Sequence, residues 1–222
     1  MEDPFLLPPF IEYFATFLYG VTGALLGARR GYAILGILSL AIVSATGGGL
    51  LRDGLFLQHG PPVLVRSPEY LYLSTAAGTV VMLFGRRVQR LPQFDAIVGT
   101  VDALGLGAYA VVGMDRATAA GLSSPGVVVV GMVNAVGGSL LRDVLIRREP
   151  NLFRPGTLEE SAAFIGCLTF LAATRWTDLP NIPVAWFTIG LVFLIRILAI
   201  RYQIQTRPLR DFEEFWKERG EN

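Results

Sequence analysis

Two arginine–aspartate pairs hold most of the chemistry this chain offers. Arg52-Asp53 closes the stretch Thr46-Gly47-Gly48-Gly49-Leu50-Leu51-Arg52-Asp53. Arg142-Asp143 closes Val136-Gly137-Gly138-Ser139-Leu140-Leu141-Arg142-Asp143. Each follows a long run without charge, Gly31 to Leu51 and Ala117 to Leu141. Charges at the depth of an apolar span are costly and mark sites or pathways for charged species. Adjacent glycines in a helix cost about 1 kcal/mol each relative to alanine. A chain that accepts this cost twice uses the freedom of glycine to bend, or to bring its backbone close to a neighbour. The two segments are expected to face each other and to build one site or pathway.

The expected chemistry is the binding or passage of a small ion or zwitterion. Helix breaks at Gly47, Gly48 and Gly49, and at Gly137 and Gly138, would release carbonyl oxygens. Such backbone is tolerated at membrane depth only where it lines a wet cavity or is buried in protein. Free carbonyls and the hydroxyls of Ser44, Thr46 and Ser139 suit a weakly dehydrated monovalent cation. Asn134 occupies the place of Ser44 in the second copy and adds a polar group. A larger side chain at Gly48 or Gly138 is expected to narrow the passage and suppress flux. Arg52-Asp53 and Arg142-Asp143 admit two roles: ion contacts, or paired braces that hold the helices. Asp102 has no partner in the motif and lies well inside a span. It faces the pathway or pairs with an arginine.

The elements that position these residues are membrane spans. The chain of 222 residues is 52% hydrophobic and 17% charged, with a mean hydropathy of +0.51. A soluble domain carries about 25% charged residues, and about 20 apolar residues cross a bilayer. The expected fold is an all-α integral membrane protein with seven transmembrane helices. They run from about Glu12 to Ala28, Tyr32 to Leu57, Glu69 to Gly85, Phe94 to Met114, Ser123 to Ile146, Leu158 to Thr174 and Pro183 to Tyr202. Residues 1–206 are expected to form a single transmembrane domain, and 207–222 a cytoplasmic amphipathic tail. The acidic N-terminus lacks the basic region of a signal peptide, so the first span is expected to stay.

Arginines set the orientation. One side of the seven-span layout receives Arg29, Arg30, Arg86, Arg87, Arg90, Arg147, Arg148 and Arg154, and the arginines and lysine of the C-terminal tail with them. The other receives Arg66, Arg116 and Arg175. The richer side is expected to be cytoplasmic, with the N-terminus outside. The repeat extends beyond the glycines, since Pro62-Val63-Leu64-Val65-Arg66 parallels Pro150-Asn151-Leu152-Phe153-Arg154. Repeat one (about 12–90) and repeat two (about 94–174) each have an odd number of crossings. They are therefore expected to be inverted relative to each other, with the seventh helix (about 183–202) added. Small residues at Gly23 and Gly27, and at Gly99, Gly105 and Gly107, offer close-approach faces.

The doubled Gly-Gly-(Gly/Ser)-Leu-Leu-Arg-Asp segment in two three-span halves, plus a seventh helix, resembles the prokaryotic trimeric intracellular cation channels. Their superfamily includes bacterial proteins described as glycine transporters. The resemblance covers Glu12 to Tyr202. It implies a homotrimer in the inner (plasma) membrane. Each subunit would hold a pore for potassium and sodium, lined by the second and fifth helices and kinked at the glycines. Ser139 departs from a third glycine and makes the halves unequal. The lipid-binding lysine motif of animal members is absent, since Lys217 in the tail is the only lysine.

Other signals point away from chemistry. Gly105-Leu106-Gly107-Ala108-Tyr109-Ala110 matches a dinucleotide fingerprint by letters only, because it follows no strand. His59 has no second His or Cys near enough to complete a metal site. No nucleophile, base and acid set is present, so neither an enzyme nor a cofactor is expected. The net charge of +1 gives no hint of nucleic acid. The partners expected are lipids, further copies of the chain, and monovalent cations. A carrier for a small zwitterion such as glycine fits the same motif.

Overall fold

A computed structural model of the protein describes residues 7–58, 60–153, 158–177 and 179–205. The predicted amphipathic tail, His59 and Arg154 lie outside these residues. Eight α-helices follow one another, and there is no strand among the described residues. They are α1 (Pro9–Arg29), α2 (Ile34–Leu51), α3 (Val63–Arg66), α4 (Pro68–Gln89), α5 (Phe94–Ala119), α6 (Ser124–Leu145), α7 (Glu159–Trp176) and α8 (Asn181–Arg201). A π-helical segment, Arg52–Leu57, extends α2, and Asn151–Phe153 forms a short 3-10 turn. Each of the seven predicted spans coincides with one of the seven long helices to within a few residues. Five are long and apolar enough to cross a membrane: α1, α2 with its extension, α5, α6 and α8. The protein is an all-helical membrane protein.

Local sequence explains the ends. Proline stands in the first turn of α1, α4 and α6, where its missing N–H costs nothing. Gly31 and Gly121 follow α1 and α5 with φ of 73° and 75°, the left-handed geometry that glycine reaches without penalty. The two parallel segments Pro62–Arg66 and Pro150–Phe153 both wind into short helical turns after the glycine helices.

Packing explains the glycines within the spans. Helix α1 lies against α2 and α4, α5 against α6 and α8, and α2 crosses α6. A Cβ on Gly23 would lie 2.6 Å from the Leu40 carbonyl oxygen, and one on Gly27 would lie 3.4 Å from Ile37 Cα. The Gly23-xxx-Gly27 pair is thus a close contact of α1 on α2. Gly105 is covered by the Tyr19 ring, and Gly107 by Ile189 of α8. The close-approach faces expected of these small residues are used between helices of one subunit. Lipid supplies little hydrophobic drive between helices, so close backbone contact has to hold them together.

Candidate functional site

The two glycine helices cross at their motifs. Contrary to expectation, neither helix is broken there. α2 is continuous from Ile34 to Leu51 and α6 from Ser124 to Leu145. Among the described residues the glycines with positive φ are Gly31, Gly60 and Gly121, all outside these motifs. Glycine is used here for close approach. A Cβ on Gly48 would overlap the Asn134 carbonyl oxygen, and one on Gly138 would overlap that of Ser44. One on Gly137 would lie 2.9 Å from Gly48 Cα, and one on Gly47 would lie 3.2 Å from Gly138 Cα. Gly49 is the exception and faces open space beside Arg52. The backbones therefore touch, and the crossing is shut.

Departure from α-helix comes one step later, at Arg52–Leu57. Its π-helical turns end at Gln58, whose N–H donates to the Asp53 carbonyl at 2.9 Å. Such turns change the direction of side chains and are frequent at functional positions. Here the turn places Asp53 beside Arg52. Arg52 Nε donates to Asp53 Oδ1 at 2.7 Å, and Asp53 Oδ2 accepts the Val63 N–H at 3.0 Å. Arg52 Nη1 lies 3.5 Å from Glu12 Oε1 of α1 and donates to Asn134 Oδ1 at 3.3 Å. Arg116 Nη2 donates to Glu12 Oε2 at 3.0 Å. Arg52 is 1% exposed and Asp53 8%.

The other end of the crossing is built alike. Arg142 Nε donates to Asp143 Oδ1 at 3.4 Å, and Nη1 donates to Asp102 Oδ1 and to Thr22 Oγ1, each at 3.2 Å. Asp102 is thereby paired and no longer solitary. Ser139 Oγ donates to the Val136 carbonyl and lies 3.3 Å from Glu159 Oε1. Glu159 Oε2 lies 3.8 Å from Arg196 Nη2. Breaking a buried pair by removing one partner costs about 3–5 kcal/mol. Each arginine is thus paired with its neighbouring aspartate and with an acid of another helix.

Between the two ends sit Ser44 and Asn134. Asn134 Nδ2 donates to the Tyr109 carbonyl at 2.7 Å. The Ser44 hydroxyl is buried at the crossing without a hydrogen-bond partner among the described residues. Thr46 turns back to the Ile42 carbonyl at 2.7 Å. Two cavities approach from opposite ends. One, of about 230 Å³, is lined by Arg52, Asp53, Arg66 and Arg116. The other, of about 340 Å³, is lined by Asp102, Arg142, Asn151, Glu159 and Arg196. Their linings share no residue.

Several of these residues were not foreseen: Glu12, Tyr19, Thr22, Tyr109, Arg116, Glu159 and Arg196. A signal for some of them exists in the chain. Glu12 and Asp102, Tyr19 and Tyr109, Ala45 and Ala135, Arg52 and Arg142 are each 90 residues apart. The interval defined by the glycine motifs leads directly from α2 and α6 back to the acids and tyrosines of α1 and α5.

A family model described as "Glycine transporter" matches residues 9–86 and 100–175. The chain belongs to the glycine transporter family. This family member is 28% identical over 200 residues to the inner membrane protein YadS of Escherichia coli K12, spanning 90% of this chain and 95% of YadS. It is 33% identical over 169 residues to the UPF0126 membrane protein of Deinococcus radiodurans, spanning 75% and 77% of the two chains. Among solved structures it is similar to the TRIC trimeric intracellular cation channel orthologue from Rhodobacter sphaeroides. The TM-score is 0.80 at 27% identity, covering 88% of this chain and 97% of that one. The resemblance drawn from the doubled motif therefore holds. These relatives are membrane proteins and channels, and this glycine transporter family member is not an enzyme.

Proposed function

We propose that the protein is a monovalent cation channel of the plasma (inner) membrane, assembled as a homotrimer with one pathway in each subunit. The observation that carries this reading is the pair of opposed cavities. One reaches Arg52 and Asp53, the other Arg142 and Asp102, and the α2–α6 crossing stands between them. The fold shared with the Rhodobacter sphaeroides cation channel supports it. In this reading α2 and α6 line the pathway. Gly47, Gly48, Gly137 and Gly138 are its narrowest part, Ser44 and Asn134 offer polar groups there, and Gly49, Thr46 and Ser139 flank it. Arg52 and Arg142 do not repel a cation, because Asp53, Glu12, Asp143 and Asp102 neutralise them. Potassium and sodium are the ions proposed, with lipid around the trimer.

The same reading takes α4 and α7 as two further spans, giving seven. Repeats 12–90 and 94–174 are inverted copies, supported by the interval of 90 residues that holds from Glu12 to Arg52 and by the two matched segments of nearly equal length. Residues 1–206 form the membrane domain and 207–222 the cytoplasmic tail. The arginine asymmetry places the N-terminus outside and the C-terminus in the cytoplasm. Relatives named as inner membrane proteins support the location.

A second reading is favoured by one observation. Two cavities on opposite sides of a closed crossing are also what alternating access requires, and the family model carries the description of a glycine transporter. Planar-bilayer recording of the purified protein in symmetric potassium separates the two. Unitary currents support the channel. Their absence, together with glycine uptake into vesicles, establishes the carrier.

A further inference from the structure

We propose that Tyr19 and Tyr109 form a crossed pair of latches that holds the α2–α6 crossing shut, so that their hydroxyls set how often the pathway opens. Tyr19, on α1, donates its hydroxyl to the Ala135 carbonyl of α6 at 2.9 Å. Tyr109, on α5, donates to the Ala45 carbonyl of α2. Each hydroxyl joins a helix from one half of the chain to a helix from the other half. Both acceptors lie two residues before a glycine motif, so the ties sit at the contact they would hold. The two rings lie against each other, with centroids 5.1 Å apart. Both are buried, at 0% and 5% exposure.

The carbonyls do not need these bonds. In a continuous helix, Ala45 and Ala135 already accept the N–H groups of Gly49 and Ser139. The tyrosine bonds are additional, and they exist only while α2 and α6 stay in contact. If the helices part, the Tyr19 hydroxyl is left buried without its acceptor and that of Tyr109 keeps only Thr16 Oγ1, which penalises the parted state. The two latches are unequal. Thr16 Oγ1 donates to the Glu12 carbonyl at 2.7 Å and lies 2.9 Å from the Tyr109 hydroxyl, where it is an alternative acceptor for that proton. The residue 90 positions on from Thr16 is Leu106, which offers Tyr19 no such alternative. Tyr19 is the stricter latch.

The consequence for flux rests on the channel reading, while the latch itself does not. The test uses Tyr19→Phe, Tyr109→Phe and the double variant, each checked for intact assembly by gel filtration. Phenylalanine keeps each ring, that of Tyr19 over Gly105 included, and removes one oxygen. Two readouts are taken: open probability in planar bilayers with symmetric potassium, and hydrogen exchange of peptides covering residues 44–51 and 134–141. One net hydrogen bond corresponds to roughly a fivefold change in an equilibrium, and two to roughly thirtyfold. The open-to-closed ratio is expected to rise by those factors, with unitary conductance unchanged, and exchange in both peptides is expected to quicken. Quicker exchange without currents in any form, wild type included, supports the latch and removes the channel reading. Currents with unchanged open probability overturn the latch. So does unchanged exchange where no currents appear.

Discussion

Replacing Gly48 by alanine tests the crossing most directly. A Cβ there would overlap the Asn134 carbonyl oxygen, whereas ordinary contact begins at about 3.4 Å. The helices must part by about an ångström to admit it. Overpacking of this kind costs about 1–3 kcal/mol. Alanine also gains about 1 kcal/mol over glycine within a helix. That gain is common to the shut and the parted states, so it enters stability but cancels in gating. Thermal stability should therefore fall by only about 0–2 kcal/mol. The balance between shut and open should shift by the whole of the overpacking cost, roughly five- to 150-fold toward open. This reverses the sign expected from sequence, where a larger side chain narrows a passage. A shut crossing has no passage to narrow, and the first effect of a methyl group is to wedge it apart. Gly138→Ala, opposite the Ser44 carbonyl, should behave alike. Gly49→Ala is the control, since its Cβ would meet only Arg52 Nη2 at 3.7 Å. Open probability in bilayers and thermal melting of the purified protein are the two measurements. If Gly48→Ala and Gly49→Ala open equally often and melt together, α2 and α6 do not touch as described, and the reasoning fails.

Three further outcomes are expected. Arg52→Gln leaves Glu12 and Asp53 buried without their cation and should destabilise the protein by about 3–5 kcal/mol. The double variant Arg52→Gln/Glu12→Gln should recover part of that loss, and additive losses in thermal melting would refute the pairing. Reporter fusions after Arg30, Arg90 and Asn222 should all report cytoplasm, and a periplasmic signal at Asn222 would remove the seven-span topology. Chemical cross-linking of the detergent-solubilised protein should stop at a trimer, whereas an active monomer by light scattering would exclude that assembly.

Much of the fold is legible because a bilayer imposes strong rules. Apolar run length locates the helices, as α1, α2, α5, α6 and α8 illustrate. Proline and glycine mark the ends, as at Pro125 and Gly121, because their backbone limits act locally. The candidate site is legible in part. The doubled motif singles out Arg52, Asp53, Arg142 and Asp143 as buried charges. Asp102 was noticed as a charge inside a span, but its partner was not. The interval of 90 residues that links Glu12 to Asp102, and Tyr19 to Tyr109, is present in the letters. Tyrosine and glutamate in a span carry no period of their own to draw attention to it.

The sequence by itself determined which segments are helical and apolar, where the charges interrupt them, and that one motif recurs. These follow from composition and spacing along the chain. Only the tertiary structure decided what the glycines do. A helix break and a helix contact satisfy the same letters, and the choice depends on whether another backbone lies across the motif. Here Asn134 lies over Gly48 and Ser44 over Gly138. The same contact decided the partners of each charge, because α1 and α5 bring Glu12 and Asp102 to arginines some 40 residues away in the chain. Pairing across such a distance is a property of packing, which local sequence cannot encode.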